Sequence, residues 1–346
     1  MDREDRIARN LAIAEKYYDG YHGSVERGRL EKAFDPDDFA DEWIFCSPYL
    51  GGETVQGRST FLAEGAVANH DTIWQKIPDY KMDHFRAWPT EAGCAWRWCV
   101  NGHGLDGRYF EFWEQLFIWT NEGGKITRFE FYDDWHGFAQ ALIYAYTLTL
   151  DEFTKIAHYG SAPWHPGPSM PINQVVGPPR ADPPANGRVA HNLDIAQRYF
   201  DGFHHSFERG RLEGIFARDD FAEDWVLFSP WFGERKPSSA EDYGAVAAEE
   251  HQKIWQKLAD YKRDHFEAWP TDDGCAWRWC VNGHAGDGTY YEFWEQIFID
   301  TNADGRITRL EFYDDWQGFP QTLGYVTGLS IDELWDADNY KTWIRS

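Results

Sequence analysis

The sequence predicts an α+β fold that is built twice in one chain. Three observations lead to this prediction: the chain repeats itself over almost its whole length, each repeat opens with helical periodicity, and each continues as strand-like segments separated by glycine-containing turns. Helices followed by a meander of long strands are typical of α+β domains. We therefore expect two α+β domains in tandem.

The repeat is clearest in the segment CAWRWCVNGH, which occupies residues 94–103 and returns unchanged at 275–284. A period of this length indicates a copied domain rather than a solenoid repeat. Between the copies lies a proline-rich segment, a composition typical of an extended linker. We expect a first domain at 5–158, a linker at 159–187 and a second domain at 188–346, the product of a tandem duplication.

Each copy has the same predicted order of elements. In the first copy, apolar residues recur at helical spacing from about Arg3 to His22, RGRLEKAF follows as a short second helix, DEWIFCSP as a strand, and 59–77 as a third helix. Period-2 patterns then predict four strands, YKMDHFRAW, CAWRWCVNGH, YFEFWEQLFIW and KITRFEFYDDW. The segment HGFAQALIYAYTLTLDEF closes the copy as a helix.

Charge and hydropathy exclude several classes of partner. The formal net charge of -25 argues against nucleic acid and against anionic membrane surfaces. The N-terminal segment MDREDRIARN lacks the apolar stretch of a signal peptide, and no apolar run approaches the ~18 residues of a membrane span. We expect a cytoplasmic protein without a membrane or nucleic-acid partner.

The sequence contains no motif for a metal or a cofactor. It lacks HxH, HExxH and CxxC, and it lacks the glycine-rich loops that bind phosphates. Five cysteines are an odd number, and Cys94 and Cys99 lie too far apart on one strand for a disulfide. We expect no metal, no cofactor and five reduced, packed thiols.

Several segments resemble the nuclear transport factor 2-like superfamily, in particular its SnoaL-like polyketide cyclases and ketosteroid isomerases. The resemblance lies in EKYYDGYHGS, RGRLEKAFDPDDFADEW, the VNGHG turn and GKITRFEFYDDW, and it covers both copies. It implies two tandem cone-shaped α+β barrels, each a curved mixed or antiparallel sheet wrapped round helices. It also implies that the two sheets pack against each other as an intramolecular pseudo-dimer, with further homo-oligomers left open.

The resemblance also implies the catalytic residues. SnoaL-like cyclases use a histidine near the end of one strand and an acid on the next, which places these roles on His103 and Glu114, and on His284 and Glu295. A carboxyl group among aromatic side chains is expected to have a raised pKa because it is desolvated. The alternative is a solvent-facing glutamate and a turn histidine. Where ketosteroid isomerases have a catalytic Asp, this chain has Ser47 and Ser229.

Alternation along the repeated strand separates a tryptophan face from a face with arginine, asparagine and histidine, but it does not say which face lines a pocket. Packing of one sheet on another would account equally for both faces. Further candidates for substrate binding are two helix-one tyrosines, two helix-three histidines, and polar or aromatic residues of the strands: Tyr17, Tyr199, His70, His251, Arg97, Arg278, Asn101, Asn282, Trp113 and Trp294.

With 18% aromatic residues and 19 Trp, the chain is suited to an aromatic ligand. We expect a cofactor-independent lyase or isomerase for a bulky aromatic small molecule. Because formaldehyde-releasing lyases are known in the superfamily, the resemblance suggests conversion of a lignin-derived diaryl diol to a stilbene. The alternatives are a SnoaL-like polyketide cyclase, a hydratase or epoxide hydrolase, and a non-catalytic ligand-binding protein.

Overall fold

The structure is a computed structural model that divides into two compact units, Met1–Trp164 (unit 1) and His165–Ser346 (unit 2). It describes residues 1–27, 35–47, 52–57, 72–149, 152, 187–209, 218–230, 233–236, 253–254, 256–258, 260–315, 318–330 and 333–334. Both units are mixed α+β. Packing of sheet on sheet stays a prediction.

The elements of unit 1 follow the predicted order of helix, strands and helix. They are α1 (Arg3–Arg27), β1 (Phe39–Ser47), β2 (Gly52–Gly57), β3 (Lys81–Pro89), β4 (Gly93–His103), β5 (Tyr109–Thr120), β6 (Ile126–Asp133) and α2 (Trp135–Tyr146). The four long predicted strands are confirmed within one or two residues at each end. Strand β2 was not predicted, and the second helix and most of the third lie outside the described residues.

The six strands of unit 1 form an open sheet in the order β2-β1-β6-β5-β4-β3. Strands β1 and β6 are parallel, and the other neighbours are antiparallel. Because β2 and β3 are edges that do not pair with each other, the sheet does not close, and the prediction of a barrel is wrong for the described residues. Strand β4 lies between β5 and β3, and all its residues except His103 are buried.

Helix α1 covers one face of this sheet. Its Tyr17 ring contacts Trp96 and Trp98 of β4 at centroid distances of 5.7 and 5.5 Å. At the other end of the helix, the Asn10 side chain donates to the carbonyl of Thr90 and accepts from the Thr120 hydroxyl. The repeated tryptophan face of β4 is therefore the interior face of the unit.

The turn from β6 into α2 is fixed by Asp134. Its carboxylate accepts from the backbone N–H groups of His136 and Gly137, as an N-cap does, and from that of Trp113 on β5. A Cβ on Gly137 would lie 2.0 Å from the Glu111 carbonyl oxygen, so only glycine fits there. These contacts fix the end of β6, where Asp133 lies.

Unit 2 repeats the order with α3 (Gly187–Arg209), β7 (Phe221–Ser229), β8 (Gly233–Arg235), β9 (Lys262–Thr271), β10 (Gly274–His284), β11 (Tyr290–Thr301), β12 (Ile307–Asp314) and α4 (Gly318–Thr327). Its sheet, β8-β7-β12-β11-β10-β9, is also open. All five cysteines are buried free thiols. Among the described helices, none has the length and apolarity needed to cross a membrane.

Candidate active site

The interior of unit 1 contains a buried glutamate bound to a tryptophan. Glu114 stands directly opposite Trp98 in the β4–β5 ladder, so both side chains share the face that α1 covers. The indole N–H of Trp98 donates to the Glu114 carboxyl group, which is 2% exposed. The Tyr17 ring stacks on Trp98 with 15° between the ring planes. Glu114 therefore lies beneath aromatic rings rather than at the surface.

A second carboxyl group lies beside it. Asp133 stands opposite Glu114 in the β5–β6 ladder and is 1% exposed. Directly opposite residues of an antiparallel ladder have Cβ atoms about 4.5–5.5 Å apart. Within the described part of the chain, neither carboxyl oxygen of Asp133 has a hydrogen-bond partner. A buried polar group in this state is costly unless it is protonated or binds a ligand.

Burial and mutual repulsion change the protonation of this pair. Burial raises the pKa of Glu114 to about 8. The hydrogen bond from Trp98 lowers this pKa, and the charge of Asp134 adds to the increase. Burial, followed by the charges of Glu114 and Asp134, raises the pKa of Asp133 well above its usual range. Two close carboxyl groups in a dry site ionise one after the other. Near neutral pH the pair can hold at least one proton.

Tyrosine hydroxyl groups complete this interior. The Tyr17 hydroxyl donates to the Tyr21 hydroxyl over 3.1 Å, and both residues are buried on α1. Burial raises the pKa of Tyr17 and of Tyr80, and the charges of Glu114 and Asp133 raise both further. These phenols are therefore neutral at ordinary pH and can donate hydrogen bonds to a ligand.

The interior of unit 2 has the same tryptophan, glutamate and stacked tyrosine as unit 1, but two of the neighbouring side chains differ. The Trp279 indole donates to Glu295, and the Tyr199 ring stacks on Trp279 at 5.4 Å. Arg263 occupies the position of Met82 in unit 1, and its Nε donates to Glu295 Oε2 over 3.2 Å. Phe203 stands where unit 1 has Tyr21.

The predicted histidines are not in either interior. His103 is at the exposed end of β4, where its Nδ1 lies 2.7 Å from Asp79 Oδ2, and His284 makes the equivalent contact with Asp260 at 2.7 Å. In the β4–β5 ladder His103 stands opposite Tyr109, five positions away from Glu114. At about 3.3 Å per residue this separates them by roughly 17 Å. The structure therefore does not form the expected pair of His103 with Glu114, nor that of His284 with Glu295.

The predicted polar face is on the opposite side of the sheet. The Arg97 guanidinium lies 5.0 Å from the centre of the Trp113 ring, and Asn101 donates to Asp83 over 3.0 Å. In unit 2, Arg278 lies 4.6 Å from the Trp294 ring and Asn282 contacts Cys280 Sγ at 3.6 Å. Because side chains alternate along a strand, these residues face away from Glu114 and Glu295.

Of the remaining candidates, Tyr17 and Tyr199 do line the interiors, whereas His70 and His251 lie outside the described residues. Sequence reasoning missed Asp133, Tyr21 and Arg263 as members of the interior. A signal for Asp133 was present in the repeated YDDW segment, because adjacent acids on a strand point to opposite faces.

A cleft of about 580 Å³ opens elsewhere in unit 1, between the β4–β5 turn and the end of α2. It is lined by Lys76, Leu105, Asp106, Ile143, Tyr144, Thr147 and Leu148. Neither Glu114 nor Asp133 lines it. The interior, where two carboxyl groups are desolvated together, is therefore a candidate site separate from this cleft.

No family model matches this chain, and no curated protein matches it. Among solved structures, the chain is similar to a protein assigned as a SnoaL-like polyketide cyclase from Jannaschia, at 11% identity and a TM-score of 0.30, over 42% of this chain and 97% of that one. It is also similar to a steroid delta-isomerase from Pseudomonas aeruginosa, at 20% identity and a TM-score of 0.26, over 39% of this chain and 89% of that one. A third similar structure is an NTF2-like protein from Exiguobacterium, at 22% identity and a TM-score of 0.25, over 35% of this chain and 98% of that one.

Proposed function

We propose that unit 1 is an acid–base enzyme for an aromatic small molecule, with Glu114 and Asp133 as the proton-transferring pair. The observation that carries this proposal is the pair itself: two carboxyl groups face each other in a dry interior, and one of them has no hydrogen-bond partner in the described part of the chain. A pair of acids with raised pKa values can present one proton donor and one acceptor near neutral pH.

The surrounding residues support an aromatic substrate. Trp96, Trp98 and Tyr17 form a wall of rings beside the pair, and large flat rings stack well on such walls. The neutral hydroxyl groups of Tyr17 and Tyr21 can hold an oxygen atom of the substrate. The interior thus combines aromatic rings for stacking, hydroxyl groups that donate hydrogen bonds, and a proton that the two carboxyl groups can transfer.

The specific reaction that we propose is release of formaldehyde from a lignin-derived diaryl diol. Loss of the phenolic proton and of the benzylic hydroxyl as water, assisted by the protonated carboxyl, gives a quinone methide. The ionised carboxylate then takes the proton of the terminal hydroxyl, the C–C bond breaks, and formaldehyde leaves. The electron pair of that bond forms the C=C bond of the stilbene and returns the quinone methide to a phenolate, which regains the proton lost in the first step, so that the products are a phenolic stilbene, formaldehyde and water.

The test is to incubate the purified full-length protein, without added cofactor, with a diaryl diol that carries a free phenol. We expect formaldehyde and stilbene absorbance to appear together in equal amounts, and both to be lost in Glu114→Gln. Glu111→Gln is the matched control, because Glu111 is an exposed residue of the same strand that bonds Tyr109. Turnover that survives in Glu114→Gln would contradict the assignment.

A second candidate function is favoured by the paired hydroxyl groups of Tyr17 and Tyr21. Such a pair can stabilise an enolate oxygen, which is the intermediate in polyketide cyclisation and in ketone isomerisation. The two candidates differ in their dependence on these hydroxyls. Loss of cyclisation in Tyr17→Phe, in a protein that releases no formaldehyde from any diaryl diol, would favour the second candidate.

A further inference from the structure

The interiors of the two units differ in a charge placed directly against the glutamate. In unit 2 the Arg263 and Glu295 side chains are 1% and 10% exposed, and they form an ion pair. In unit 1 the corresponding position is Met82, which is fully buried and uncharged. The ladders place both residues on the interior face, Met82 opposite Val100 and Arg263 opposite Val281.

The Arg263 guanidinium also lies within a group of aromatic rings. It is 4.2 Å from the centre of Phe203, 5.2 Å from Trp279 and 5.3 Å from Tyr261. Arginine retains its charge in proteins, and aromatic faces stabilise that charge. The cation is therefore a permanent part of this interior.

A fixed cation decides the protonation of the carboxyl group that it contacts. An opposite charge within hydrogen-bond distance favours the ionised form, because protonation would leave the guanidinium buried without its counter-charge. Among the described residues, the other ionisable side chains near Glu295 are Tyr199, Tyr261, Asp314 and Asp315, and none of them is a cation. Arg263 is therefore the only positive charge set against this carboxylate by the described elements.

We infer that Arg263 is a positioning residue that holds Glu295 ionised, so that this glutamate cannot donate a proton and the role of Glu114 as an acid has no counterpart in Glu295 of unit 2. This inference rests on the proposed function of Glu114. It makes the two units unequal despite their identical CAWRWCVNGH strands. It also identifies two positions at which the interiors differ: Met82 of unit 1 corresponds to Arg263 of unit 2, and Tyr21 corresponds to Phe203.

The experiment exchanges these residues in the full-length protein and reads protonation directly. Infrared difference spectra across a pH titration detect the carbonyl band of a protonated carboxyl group. We expect Arg263→Met with Phe203→Tyr to gain a band near neutral pH that disappears when Glu295→Gln is added. Arg263→Lys, which keeps a charge, should gain none. A band assignable to Glu295 in the unaltered protein, or none in the exchanged one, would overturn the inference.

The reverse exchange and turnover complete the test. Met82→Arg should abolish the protonated signal of Glu114 and lower turnover, and retention of that signal would overturn the inference. In a Glu114→Gln background, Arg263→Met with Phe203→Tyr should raise turnover roughly tenfold or more above that of Glu114→Gln alone. If the infrared bands behave as expected and no variant turns over any substrate, the proposed function fails while the role of Arg263 stands.

Discussion

Unit 1 contains two pairs of ionisable side chains that the same strands position, and they differ in almost every physical property. Glu114 and Asp133 are both at most 2% exposed, beneath the rings that α1 brings to the sheet. His103 and Asp79 lie at the end of β4, where their side chains are 56% and 54% exposed. The first pair consists of two acids, and the second of an acid and a base.

This difference shows that residue type and spacing do not decide which pair can do chemistry. Solvent around His103 and Asp79 screens the interaction between their side chains. Desolvation around Glu114 favours a retained proton that a substrate could receive. The interior pair should therefore dominate activity and pH dependence, and the exposed pair should matter little to either.

The largest expected effect is on turnover in Glu114→Gln. The amide is nearly isosteric with the acid but cannot transfer a proton, so we expect a loss of about 100- to 10,000-fold. The control, Glu111→Gln, should stay within about twofold. Full activity in Glu114→Gln, with activity lost in His103→Ala, would reverse the comparison between the two pairs.

The next effect is on the pH dependence of stability. Between the ordinary pKa of a glutamate, 4.5, and the value of about 8 in the fold, the folded chain holds a proton that the unfolded chain releases. The free energy of unfolding should therefore fall as pH rises through this window, by at most about 5 kcal/mol for this group.

Urea unfolding at several pH values between 5 and 8 measures this slope. Glu114→Gln should make it shallower, because the amide does not titrate while the raised pKa values of Asp133 and Asp134 still contribute, whereas Glu111→Gln should leave it unchanged. A slope that is the same in all three proteins would mean that Glu114 is ionised in the fold throughout this range, and would remove it as a proton donor.

The sequence was sufficient to predict the first helix and the order of the long strands because the periodicities are local, whereas the short strand β2 was missed. The strand CAWRWCVNGH and its neighbours carry strong period-2 patterns, and their bounds were predicted within one or two residues. Glu114 was proposed as the acid through the resemblance. Its burial could be expected because Phe112, Trp113 and Leu116 surround it in the sequence.

The partner of Glu114 could not be predicted, since it depends on register between strands. Asp133 is opposite Glu114 only because β5 and β6 pair as they do, with an irregularity between Trp119 and Thr120. Likewise, alternation separates the faces of β4 but does not say which one α1 covers. The pairing of His103 with Asp79 depends on a loop contact across 24 residues, and no local pattern indicates it.

A smaller effect is expected from the hydrogen bond that the interior pair receives. Trp98→Phe keeps a ring beside Tyr17 but removes the indole N–H that donates to Glu114. We expect a loss of about 1–3 kcal/mol in the free energy of unfolding above pH 8, where Glu114 is ionised. The pKa of Glu114 should rise further, because this bond lowers it.

Trp96→Phe is the matched control for that substitution. Trp96 shares the interior face and the contact with Tyr17, but its indole N–H has no hydrogen-bond partner in the part of the chain that the structure describes. It should lose packing area without changing the pH profile. If both variants move the pH–activity profile to higher pH by the same amount, ring size, rather than the hydrogen bond, sets the protonation of Glu114.

The smallest expected effect is that of His103→Ala. The pKa of Asp79 is lowered first by the backbone N–H of His103, and that bond survives loss of the imidazole ring. The side-chain contact that is removed is exposed, so we expect a loss of less than about 1 kcal/mol in the free energy of unfolding. Turnover should stay within about threefold, as it should in His284→Ala. A loss of 100-fold or more in His103→Ala, with the urea midpoint unchanged, would show that the exposed pair takes part in the chemistry.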